Sequence, residues 1–187
     1  GMLHSAEVIH HVAETLKTYT TGPVVLDQVM VATSGDKLLQ DDAIATLSHV
    51  LIPLADIITP NIPEAEILLG RKLENNLQEE ARALTGTGAK AVLLKAGHLT
   101  GDSLVDVFYD AQTEEALELP ARRVDTANTH GTGCTLSSAI AARLAQGASM
   151  KDAVQAGVVY IHQAIQTGAN YKLGRGHGPF HHFYNFW

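Results

Sequence analysis

Asp56-Ile57-Ile58-Thr59-Pro60-Asn61-Ile62-Pro63-Glu64 is the stretch that decides the fold. Its opening is short and continuously apolar, the pattern of a strand buried on both faces of a parallel sheet. Pro60 breaks the strand, and Pro63, with its fixed φ, suits the first position of a short helix running through Leu69. Two more runs have the same character. Pro23-Val24-Val25-Leu26-Asp27 lies upstream, and Lys90 to Lys95, centred on Ala91-Val92-Leu93-Leu94, lies downstream. Helical patterns fill the spaces between them. Ser5 is a plausible N-cap ahead of Val8, Ile9, Val12, Ala13 and Leu16 on one face. Further helices are expected over Asp41 to Leu51 and Leu77 to Leu84, with residues 28–40 otherwise a loop around Ser34-Gly35-Asp36.

The pattern then changes. Leu104 to Tyr109 and Glu114 to Leu119 flank a polar turn and read as an antiparallel hairpin. Two longer helices follow, at about 133–146 and 149–166. A tail with Gly174, Gly176 and Gly178 ends in Phe180, Phe183, Tyr184, Phe186 and Trp187, a cluster expected to pack over the core or a subunit contact. The sum is an α/β fold: a mainly parallel sheet flanked by helices, with an antiparallel hairpin toward the C-terminal side. At 187 residues the chain fits one domain. A net charge of −7 argues against a nucleic-acid surface. No apolar run approaches membrane-spanning length, and the start of the chain lacks the pattern of a secretory signal. The single cysteine cannot form an internal disulfide, which fits a reducing cytoplasm.

Parallel sheets bind ligands beyond the carboxyl ends of their strands. Asp27 ends the first strand, Thr59 and Asn61 follow the second, and Lys95 ends the third. The run Asp125-Thr126-Ala127-Asn128-Thr129-His130-Gly131-Thr132-Gly133-Cys134-Thr135 reaches the same edge from later in the chain. Its Gly-Thr-Gly turn enters an apolar helix, whose free first-turn N–H groups and dipole welcome an anion. A bland loop capped by Thr132 is the other reading. Asn61 and Glu64 either hold a water-rich Mg²⁺ or cap the helix between them. Asp27 either approaches the metal or makes an Asx turn. Lys95 either neutralises a transferring phosphoryl group or is solvated. Cys134, at a helix start where the dipole favours a thiolate, is a base, a polar substrate contact, or simply a small residue in a tight place. His130 either orients the turn or contacts phosphate. The pairs His10-His11 and His181-His182 lack metal spacing.

On these residues the chain resembles the hydroxymethylpyrimidine and phosphomethylpyrimidine kinases of thiamine biosynthesis, in the ribokinase-like superfamily. The most specific stretch is Thr129-His130-Gly131-Thr132-Gly133-Cys134-Thr135-Leu136-Ser137-Ser138-Ala139-Ile140. Thr59 to Ala65 and Leu26 to Gly35 are close seconds. The resemblance implies a three-layer ribokinase-like domain over 1–187 and transfer of the ATP γ-phosphate, with Mg²⁺, onto the pyrimidine and then its monophosphate. It further implies that Gly131, Thr132, Gly133 and Cys134 form the anion hole, with Cys134 where sugar-kinase relatives carry a catalytic aspartate. Asp27 and Glu64 would organise the metal with Asn61. Lys95, Thr129 and His130 would attend the nucleotide, and Met2 and Val29 the pyrimidine pocket.

Three departures matter. Gln28 and Ala96 stand where the family usually has proline and glycine. The chain also begins where the family's N-terminal strands are expected to have ended, which would leave the Pro23 to Asp27 strand near a sheet edge. An apolar edge predicts self-association, a homodimer first of all. The competing functions are a catalytically incomplete nucleotide- or phosphate-binding remnant and a pyridoxal kinase-like enzyme.

Overall fold

The computed structural model describes residues 2–19, 22–31, 38–95 and 103–186. The expected loop at Ser34-Gly35-Asp36, the departure at Ala96 and the terminal residue Trp187 lie outside them. Five strands form one sheet in the order β1 (Val25–Leu26), β2 (Ile57–Ile58), β3 (Ala91–Leu94), β4 (Ser103–Asp110) and β5 (Glu115–Arg122). The first three run parallel, and β4 and β5 form the antiparallel hairpin. β1 therefore stands at the sheet edge.

Strand residues alternate between two cores, as a period of two requires. Leu26, Ile58, Val92, Leu94, Val107 and Tyr109 face one side. There they meet Ile9 and Ala13 of α1 (Ala6–Tyr19), Ala43 of α2 (Asp41–Thr46), Ala65 of α3 (Ile62–Leu69), and Ala81 and Leu84 of α4 (Leu77–Thr85). Val25, Ile57, Ala91, Leu93 and Phe108 face the other side, against α5 (Thr132–Ala145), α6 (Met150–Gly168) and Phe180. This double burial explains why the parallel strands read as continuous apolar runs. β5 alternates half-buried and exposed residues, because its second face is open to solvent.

Ser5 accepts from the Val8 N–H at 3.4 Å, as a cap should. Three details differ from the sequence reading. Ile62, not Pro63, is the first residue of α3, so Pro63 falls second, still within the turn that lacks N–H partners. The helix expected through Leu51 changes winding: α2 stops at Thr46, a π-helical turn covers Leu47–Leu51 and a 3₁₀ turn covers Ile52–Leu54. Pro53 lies in that last turn, has no N–H to donate and crowds the carbonyl four residues back. Of the tail aromatics, Phe180 enters the core and Tyr184 packs beside Tyr160, whereas Phe183 and Phe186 are exposed. No helix among the described residues is long and apolar enough to cross a membrane.

At the amino edge of the sheet, Asp56 joins three strands. Its Oδ2 accepts from the Val24 N–H at 2.7 Å, and its Oδ1 pairs with Lys90 Nζ at 2.7 Å.

Candidate functional site

The carboxyl edge of the same strands carries the candidate site. Asp27 immediately follows β1, Thr59 follows β2 and Lys95 follows β3. Lys95 is fixed by its own backbone, which donates to Pro60 O at 2.8 Å and bridges to Asn61. Its Nζ lies 3.3 Å from Asp27 Oδ1, and the buried Thr59 hydroxyl donates to that same oxygen at 3.3 Å. Both charged side chains are largely shielded from water, with 18% and 12% of their surface exposed. Asp27 is thus engaged with other strands rather than closing an Asx turn.

The start of α5 rests on this pair. A Cβ on Gly133 would stand 3.5 Å from both Asp27 Oδ2 and Lys95 Nζ, so the turn sits against the two charges. Gly131 is the N-cap, with φ 86° and ψ 7°, a left-handed conformation that glycine adopts without strain. No side chain caps the helix, and Thr132 is its first residue rather than its cap. α5 has no acidic residue in its own first turn, and the carboxylate at its positive end is Asp27.

Cys134 lies in the first turn of α5, beside the Asp27 carboxylate. Its pKa is raised, first by desolvation and then by that carboxylate, with Lys95 opposing. The thiol therefore keeps its proton. The helix dipole suggested a thiolate, but desolvation, helped by the carboxylate that follows β1, outweighs it.

Asn61 and Glu64 form the capping box of α3. Asn61 Oδ1 accepts from the Glu64 N–H at 2.9 Å, and Glu64 Oε2 accepts from the Asn61 N–H at 3.0 Å. Glu64 Oε1 also accepts from the Met30 N–H at 3.0 Å, tying α3 to the segment that leaves β1. Within that segment Gln28 is 1% exposed, and neither of its amide atoms has a hydrogen-bond partner. Val29 has φ 43°, a strained value for a β-branched residue. Met2 is half exposed ahead of α1. Thr129 is partly buried, and His130 is exposed, its N–H reaching Gly178 O at 3.4 Å. The structure thus gathers Asp27, Lys95, Gly133 and Cys134 at one point, with Asn61 and Glu64 on the neighbouring helix start.

The phosphomethylpyrimidine kinase family profile matches residues 1–181. The chain belongs to that family. It is 46% identical over 190 residues to a hydroxymethylpyrimidine/phosphomethylpyrimidine kinase of Rhizobium meliloti, spanning all of this chain and 70% of that protein. A solved phosphomethylpyrimidine kinase from Clostridium difficile is 39% identical with a TM-score of 0.74, over 88% of this chain and 67% of that one. The Staphylococcus aureus pyridoxal kinase solved with AMP-PCP and pyridoxal is 30% identical with a TM-score of 0.87, over 100% of this chain and 66% of that one. The fold is accordingly ribokinase-like.

The sequence reading of this family member missed Asn128. Its side chain is buried at 6% exposure and bonded to the end of α6. No periodicity points to it, because its partners lie some forty residues away in a loop and a helix end.

Proposed function

We propose that this chain, acting as one ribokinase-like domain, transfers the γ-phosphate of ATP to 4-amino-5-hydroxymethyl-2-methylpyrimidine and to its monophosphate, as in thiamine biosynthesis. One observation carries the reading: the uncapped start of α5 is seated directly on the Asp27–Lys95 pair. Phosphoryl transfer needs positioning and charge stabilisation more than covalent chemistry. The N–H groups of Thr132, Gly133 and Cys134 would meet the charge that develops on the transferring group, and Lys95 would neutralise nucleotide phosphate. Thr129 and His130 would flank the nucleotide, while Met2 and Val29 would border the acceptor.

Mg²⁺ prefers oxygen ligands, keeps several waters, and is usually held by one or two carboxylates with substrate phosphates. Asp27 fits that demand at the sheet edge. Glu64 would act from behind, holding Asn61 and Met30. The metal would supply charge neutralisation on the phosphates. The protonated Cys134 thiol would contact the acceptor hydroxyl. A second reading, phosphorylation of pyridoxal, is favoured by the close structural match to a pyridoxal kinase over the whole chain.

The deciding assay incubates the chain with ATP, Mg²⁺ and hydroxymethylpyrimidine or its monophosphate, and follows product by mass spectrometry, with pyridoxal as a competitor. Product from wild type, falling about 100-fold or more in Cys134→Ala, is expected. Measurable Mg·ATP binding without product would leave a nucleotide-binding remnant instead.

The edge position of β1 supports a homodimer that covers it. Sedimentation velocity is expected to give a dimer at micromolar concentration; a clean monomer would remove that proposal. The lone cysteine fits a cytoplasmic setting.

A further inference from the structure

Asn128 stands three residues before Gly131, the first residue of the anion turn, and takes no part in the chemistry above. Its carboxamide is committed to the far end of α6. Nδ2 donates to Gly168 O and Tyr171 O at 2.9 Å each and to Ala169 O at 3.3 Å. Carbonyls at a helix C-terminus lack partners within the helix and carry the negative end of its dipole, so an NH₂ group complements them. The lead-in is tied at two further points. The Asn128 N–H donates to Thr126 Oγ1 at 3.1 Å, and that hydroxyl donates to Ala169 O at 2.9 Å. Two residues on, the His130 N–H reaches Gly178 O. Gly178 in turn lies so close to Asn128 that a Cβ there would stand 2.1 Å from Oδ1. Alternate residues of the lead-in, 126, 128 and 130, are therefore all fastened to segment 168–178.

We infer that Asn128 is a positioning residue for phosphoryl transfer, pinning the lead-in of the anion turn to the end of α6 and so fixing the turn over Asp27 and Lys95. The inference rests on the phosphate-binding reading of that turn. It also makes the glycine-bearing tail a supporting part of the site. Only a donor serves at position 128. An isosteric carboxylate would turn acceptors toward three carbonyls.

The test compares Asn128→Asp with wild type and with Glu80→Gln, a destabilised control in the α3–α4 corner away from the turn. A displacement of about 1 Å at a reacting group can cost about 100-fold, and a loss of that order in kcat is expected for Asn128→Asp, with a much smaller change in nucleotide KM. Hydrogen exchange should speed up in residues 129–135 and stay unchanged in 77–85. Glu80→Gln should keep its kcat at the same temperature. An unchanged kcat in Asn128→Asp, unchanged exchange in the turn, or an equal loss in the control would each overturn the inference. If Asn128→Asp does not fold, Thr126→Val removes two bonds of the same tie and should shift both readouts in the same direction. If wild type transfers no phosphate, the functional reading fails alone, and exchange in the turn decides whether Asn128 positions it.

Discussion

Two aspartate–lysine pairs span the same three parallel strands, one at each edge of the sheet. At the amino edge, Asp56 and Lys90 meet at 2.7 Å with side chains 22% and 55% exposed. At the carboxyl edge, Asp27 and Lys95 are 3.3 Å apart, more shielded, and lie under the start of α5. The closer pair also receives the Val24 N–H and so fixes register. The looser pair is shared among Thr59, Cys134 and Gly133. The same chemical partners thus serve two purposes, and what separates them is the company they keep. The amino-edge pair is tighter and wetter, and the carboxyl-edge pair is looser and drier; under the proposed function the second would leave charge available to a ligand.

The comparison is most exposed to failure at Lys95. Lys95→Met should lower kcat by about 100- to 1,000-fold, the cost of removing one preorganised group that faces developing charge. Its melting temperature should fall less than its activity, because the Thr59 hydroxyl still donates to the shielded Asp27 carboxylate. Steady-state kinetics and thermal unfolding check both halves, and a melting loss without a kinetic one would reverse the assignment. Asp56→Ala should show the opposite profile. It leaves the Val24 N–H and the Lys90 ammonium without their acceptor, at a cost of about 1–2 kcal/mol in urea unfolding, with kcat retained.

A smaller effect, confined to acid, is expected at a third pair. Glu80 receives Arg71 Nη1 and Nη2 at 2.9 and 2.8 Å and the Glu74 N–H at 2.7 Å. Its pKa is lowered, by the Arg71 hydrogen bonds first, with burial working against them. A carboxyl whose folded pKa lies below its unfolded value of about 4.3 contributes fully above that pH. The contribution is lost as pH falls through the folded value. Glu80→Gln should therefore be less stable than wild type near neutrality, and the difference should shrink as the solution is acidified below about pH 4. Urea midpoints at several pH values would measure it; a gap that persists into acid would remove the charge from the explanation.

The carboxyl edge was legible in the sequence because strand polarity is. Three apolar runs ending in Asp27, Thr59 and Lys95, read as parallel, must deliver those residues to one side. The double role of Asn61 and Glu64 was half legible: residue types and spacing announce a capping box, but not that Glu64 also holds the Met30 N–H. Three features were out of reach. The protonation of Cys134 depends on burial in the fold and on Asp27, a neighbour only in space. The π-helical turn at Leu47–Leu51 keeps the apolar pattern of an ordinary helix and differs only in winding. Asn128 acts through backbone carbonyls, which no side-chain pattern encodes.

The retained proton on Cys134 has a consequence for chemical durability. Peroxides and alkylating agents attack thiolates far faster than thiols. An exposed cysteine at a helix start would ordinarily be a point of oxidative damage. Here desolvation and the adjacent Asp27 carboxylate raise the thiol's pKa and keep the sulfur a poor nucleophile at neutral pH. The protein can expose a sulfur at the start of α5 while withholding it from electrophiles.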